Sequence, residues 1–180
     1  MTLATSTSGD LVGGLRSKLN AVLATCTTAR EEDVAAAVAG TMARAEVATW
    51  VAAPGVPASW LPAGAATEIA YLDLARDAAT TRLGCIEMAA LAVAETGSLV
   101  THGPRDARRL AMLSDVQVLL VRAADVVANL DQAAAAIAAM QPPPPYLSFV
   151  TGSSRTSDIE RTLTIGVHGP SQLHVIVVDG

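Results

Sequence analysis

Three short runs constrain the fold more than any other feature. VATWVAA (47–53), VQVLLV (116–121) and LHVIVV (173–178) are apolar along almost their whole length. A strand with one wet face alternates apolar and polar residues, whereas a strand covered on both faces does not. These runs therefore read as buried strands of a parallel sheet, and Pro54 and Gly55 mark the loop that follows the first. Between them lie segments with helical spacing. Leu11, Leu15, Leu19, Val22 and Leu23 put one apolar face on a helix from Asp10 to Thr25. Thr28 and Glu31 have the spacing of a capping box and announce a second helix, continued by Val34, Val38 and Met42. VRAADVVANLDQAAAAIAAM reads as an alanine-rich helix stopped by the prolines at 142–145.

The remaining segments are less regular. PGVPASWLPAGA reads as loop with one helical turn, in which Trp60 covers the sheet edge, and LDLARDAATTRL shows a weaker helical spacing. CIEMAALAVAETGSLVT (85–101) alternates and is expected to form two short strands or one bent pair; YLSFV (146–150) is expected to be a further strand. Helices alternating with apolar strands give an α/β fold: a layered, mostly parallel sheet with helices on both faces and its sites at the carboxyl ends of strands.

Composition narrows the function classes. With 51% apolar residues but only 3% aromatic, the core must be built from Ala, Val, Leu and Ile. A length of 180 residues suits one such domain, expected over 10–180 behind a flexible tail at 1–9. No apolar run reaches the roughly 18–20 residues that span a bilayer, and MTLATSTSGD lacks the basic and apolar regions of a signal peptide, so a cytoplasmic location is expected. Cys26 and Cys85 lack CxxC spacing and read as reduced thiols, not as ligands of zinc or of an iron–sulfur cluster. A net charge of -5 argues against nucleic-acid or anionic-membrane partners. Arg105, Arg108 and Arg109, the one basic cluster, read as a solvated turn.

Most of the chain's chemistry sits in TGSSRTSDIERTLTIGVHGP (151–170). Read as following a central strand, this loop falls where open α/β sheets keep their ligands. Gly152 permits a tight turn, and Ser157 with Glu160 repeats the capping-box spacing, so a short helix is expected to start there. Its first amides, the nearby hydroxyls and Arg155 would seat a carboxylate or phosphate, while Asp158 would pair with Arg155 or cap the backbone. The same residues serve equally well as an ordinary helix start that binds nothing. His168 with Asp158 or Glu160 fits no compact zinc motif; His168, in a turn forced by glycines and a proline, is expected to be aimed at the crevice, and His174 reads as a hydrogen-bonded sheet residue.

TGSSRTSDIE followed by GVHGP, with AVAETGSLV before them, resembles the LUD domain of the lactate-utilisation protein C family, from about Trp50 to the end of the chain. The resemblance implies a fold of the NagB/RpiA/CoA-transferase-like group and a place in bacterial L-lactate oxidation beside iron–sulfur partner proteins. It marks Glu95, Thr96 and Gly97 in the first motif, Gly152, Ser154, Arg155, Thr156, Asp158 and Glu160 in the second, and His168 and Gly169 in the third. Two residues depart from the family pattern: Ser153 stands where proline is common, and Ala90 where an acidic residue is often seen. The region before Trp50 is short for the family.

Three functions follow as expectations. The first is an accessory subunit of the lactate system that binds a small carboxylate or phosphate and carries no cofactor itself, since no cysteine set and no GxGxxG fingerprint is present. The second is an acyl-transfer or isomerase-type enzyme with Glu95 as nucleophile or base. The third is an anion-sensing module, and a homo-oligomer is compatible with each.

Overall fold

The computed structural model describes residues 8–66, 82–157, 163–165 and 169–180. In chain order the elements are α1 (Ser8–Ala21), β1 (Thr25–Arg30), α2 (Val34–Arg44), β2 (Thr49–Ala52), β3 (Ala65–Ala66), β4 (Leu83–Met88), β5 (Leu91–Val93) and β6 (Ser98–Thr101). There follow α3 (Arg105–Leu113), β7 (Val116–Arg122), β8 (Val126–Val127), α4 (Leu130–Ala138), β9 (Ser148–Val150), β10 (Arg155–Ser157), β11 (Leu163–Ile165) and β12 (Gln172–Asp179).

Among the described residues, the main sheet has the order β1-β12-β7-β4-β2-β3, and every pair in it is parallel. The three apolar runs are β2, β7 and β12, and the last two lie side by side near the centre. Val116 to Val121 are all buried, which explains their lack of alternation: the two faces of β7 feed two separate cores. On one face Val116, Val118 and Leu120 pack with Ile176, Val178, Trp60, and Val34 and Val38 of α2. On the other, Leu119 and Val121 pack with Val175, Val177, and Leu15 and Leu19 of α1. Each fully buried Leu or Val of this kind contributes roughly 1.5–3 kcal/mol. Helices thus cover both faces of a parallel sheet, the α/β architecture expected.

A second sheet, β8-β5-β6-β9, lies on the α1 face, and α4 closes its outer side through Ala133 against Leu91, Val93 and Val100. This layer corrects several expectations. The run 85–101 divides between the two sheets: β4 belongs to the parallel sheet, while β5 and β6 form an antiparallel hairpin in the other. YLSFV is not a central strand, because β9 is an edge strand of the second sheet, paired antiparallel with β6. The alanine-rich helix starts late. Asn129 Oδ1 accepts from the Gln132 amide and Gln132 Oε1 accepts from the Ala128 amide, a reciprocal cap that opens α4 at Leu130 and leaves Val126 and Val127 to pair in β8.

The capping box read at Thr28 and Glu31 is not one. Thr28 lies within β1, and helix α2 begins only at Val34, after a 3-10 turn at Glu31–Asp33. TCTTAR hides as a strand because it is the sheet edge, with only Cys26 and Ala29 half-buried. Trp60 does sit in a single 3-10 turn, buried against the sheet. Of LDLARDAATTRL, only Arg82 and Leu83 fall among the described residues, and Leu83 opens β4.

Candidate functional site

Loop 151–154 leaves β9 at Val150 and turns at Gly152, whose φ of +78° is a conformation that only glycine adopts freely. A Cβ there would stand 2.8 Å from the Val22 carbonyl oxygen and 2.9 Å from Val22 Cβ, so the loop lies directly on the end of α1. The Ser154 amide donates to the Pro170 carbonyl at 2.8 Å, and the Ser171 amide donates to the Asp115 carbonyl at 2.8 Å. These bonds bring the second motif against Gly169 of the third. They also place the loop beside the starts of β7 and β12, not at the carboxyl ends of the main sheet where a site was expected.

The first motif joins through hydroxyls. Thr96 Oγ1 donates to Ser98 Oγ at 2.8 Å, and Ser98 Oγ lies 2.7 Å from Thr151 Oγ1. Gly97 takes a φ of +74° in the β5–β6 turn, packed on Lys18 and Leu19 of α1. Glu95 is exposed in that turn and is not among the residues that line the cleft described next. The backbones of Arg155 and Thr156 pair with Ile165 and Thr164 in the β10–β11 hairpin, and Ser157, expected to cap a helix, is the last residue of β10. Asp158, Glu160, His168 and the helix expected after Ser157 lie outside the described residues.

A cleft of about 340 Å³ opens between α3, β6 and loop 151–154. Thr151, Gly152, Ser153, Ser154 and Gly169 form one wall, and Met112 and Phe149, 60% and 52% exposed, flank it with apolar surface. Its floor holds residues the sequence reading passed over. Glu87 of β4, only 5% exposed, accepts a 3.0 Å hydrogen bond from Gln117 Nε2 of β7, and Thr101 is a second hydrogen-bonding neighbour. The signal was available: a carboxylate in GCIEM and an amide in VQVLLV are polar groups inside otherwise apolar strands, and a buried polar group is the informative exception. Arg108, exposed as expected but on helix α3 and not in a turn, is not merely solvated, since it lines the cleft and stacks 4.8 Å above the ring of Tyr146. Arg109 pairs with Asp106 at 3.0 Å.

Burial pushes the Glu87 carboxyl up to about 7, against the smaller opposing effects of hydrogen bonds from Gln117 and Thr101. Burial, reinforced by Glu87, also pushes the Cys85 thiol well above its ordinary range. The folded protein therefore holds the Glu87 proton more tightly than the unfolded chain does. The stability it contributes is fully present below about 4.5 and is lost as pH rises to about 7. Between pH 5 and 8 the loss should be about 2–3 kcal/mol. Urea unfolding at both pH values should show this difference for the wild type relative to Glu87→Gln; parallel behaviour of the two proteins would mean that Glu87 is ionised throughout.

His174 is a structural residue, as expected. Its Nδ1 lies 2.6 Å from Thr25 Oγ1 across β1 and β12, while burial, helped by Arg44, lowers its pKa. Among the described residues no three His, Cys, Asp or Glu side chains gather as a metal site, and no helix is long and apolar enough to cross a membrane.

A family model for the LUD domain matches residues 17–178. The chain belongs to the LUD domain family. Lactate utilization protein C of Deinococcus radiodurans is 35% identical over 132 residues, covering 69% of this chain and 59% of that protein. Lactate utilization protein C of Anoxybacillus flavithermus is 35% identical over 89 residues, covering 49% of this chain and 40% of that protein. This LUD chain thus spans three-fifths or less of those relatives' length. A crystal structure of a DUF162 family protein from Deinococcus radiodurans superposes with a TM-score of 0.72 at 23% identity, covering 96% of this chain and 99% of that one, so the two share a fold.

Proposed function

We propose that this LUD protein is an accessory subunit of bacterial L-lactate oxidation, working in the cytoplasm beside iron–sulfur proteins and holding a small carboxylate or phosphate anion in its cleft. The relationship to lactate utilization protein C carries the first half of this reading. The cleft supports the second half, since the hydroxyl-rich Thr151–Ser154 loop and Gly169 meet at one wall with Arg108 at the rim. Ser153, where the family commonly has proline, adds a buried hydroxyl to that wall. Redox chemistry belongs to the partners in this reading, and the subunit positions or senses the anion. Glu95 gains no support as a nucleophile from its place, exposed and not among the residues lining the cleft.

Deletion of the gene should slow growth on L-lactate and leave growth on glucose unchanged, and a tagged copy that restores growth should co-purify with iron–sulfur proteins. Normal growth on lactate after deletion would overturn the proposal.

A further inference from the structure

Among the described residues Glu87 is the one buried ionisable carboxylate, and no ion pair reaches it. Its partners are neutral: the Gln117 amide donates to one oxygen, and Thr101 supplies a hydroxyl. A carboxylate in such surroundings is costly to keep ionised. It also lines the cleft whose opposite wall carries Ser153 and Ser154. An anion seated among those hydroxyls would meet like charge on the floor if Glu87 were ionised. It would meet a hydrogen-bond donor if Glu87 were protonated.

We infer that the cleft takes up its oxyanion together with a proton, Glu87 in its acid form donating a hydrogen bond to the bound carboxylate or phosphate group. This rests on the reading of the cleft as an anion site and adds the group that selects the ligand's form. The balance is simple: one proton moves from solvent to a Glu87 carboxylate oxygen, forming its O–H bond, and no bond of the anion itself forms or breaks. Among the described residues the ionisable groups around Glu87 are few. Cys85, on the same strand, keeps its proton, and Arg108 and Tyr146 sit across the cleft on α3 and ahead of β9. Gln117 of β7, Thr101 of β6 and the loop serines do not titrate. The titration of Glu87 near 7 puts the coupling in a measurable range.

Calorimetric titration of the full chain with L-lactate, and separately with sulfate as a non-titrating stand-in for a phosphate group, tests this between pH 5.5 and 8.5. Whichever probe binds names the ligand's source. The Kd should be level below pH 6.5 and rise toward tenfold per pH unit above about 7. At pH 8, buffers of different ionisation enthalpy should report uptake of nearly one proton per anion, about 0.9. Glu87→Gln, whose amide still donates, should keep tight binding at high pH and lose both the slope and the proton uptake. Should that variant fail to fold, the wild-type profile and proton count decide alone. Anion binding with no pH slope and no proton uptake would overturn the coupling and leave the anion site standing. Binding of either anion that tightens as pH rises would overturn it, because the anion would then be bound with release and not uptake of a proton. Absence of binding by both probes at every pH would remove the anion site and the coupling together.

Discussion

Gly152→Ala is expected to destabilise the protein by about 2–4 kcal/mol, because two penalties coincide at one carbon atom. The added Cβ would be held in a left-handed conformation, at φ +78°, and pressed to within 2.8 Å of a backbone oxygen of Val22. Neither can be relieved by a rotamer change, since the atom it strikes belongs to the main chain at the end of α1. For a chain of this size each kcal/mol shifts the unfolding midpoint by about 2–4 °C, so a fall of roughly 10 °C should appear in a thermal melt. The same displacement moves Thr151 away from Ser98 and reshapes the hydroxyl wall of the cleft, so anion affinity should fall with stability. A melt within a degree or two of the wild type would show that the loop does not rest on α1.

Gly84→Ala is the second large effect. Gly84 lies directly across from Trp50 in the β4–β2 pair, and a Cβ there would come within 2.4 to 2.7 Å of three ring carbons of the indole. Trp50 is 4% exposed and packed in the core on the α2 face, so the ring cannot swing out without opening that core. The cost should be about 2–3 kcal/mol, read from chemical unfolding. A double-mutant cycle separates this contact from β propensity. In a Trp50→Ala background the same change at Gly84 should cost close to nothing, and equal costs in both backgrounds would rule out the clash as the cause.

Much of this architecture was legible because the strands that matter most have no wet face. β7 and β12 sit between two cores, and their sequences carry that fact residue by residue. β1 was missed for the opposite reason, since a sheet edge of mostly exposed threonines resembles a helix entrance, where hydroxyls are equally at home. The second sheet was hidden by length. β5 has three residues and β8 two, too few for any period to register, and only the pairing across the chain makes them strands.

The candidate site divides in the same way. Loop 151–154 and Gly169 stand out locally through glycine and clustered hydroxyls, and they do meet at the cleft. Glu87 and Gln117 are 30 residues apart, and neither says anything alone. Their significance comes from the register that sets β4 beside β7, a non-local property that no window of sequence contains.

The order of strands has a last consequence, for how the chain reaches its native state. β12, which follows the other strands in chain order, is wedged between β1 and β7. On the ribosome, β1 waits for β12, its one partner among the described residues, to emerge. The first strand and the α1 surface around Leu15 and Leu19 must wait, half-assembled, while everything between them is made. Pairings between strands this far apart in the chain make folding slow.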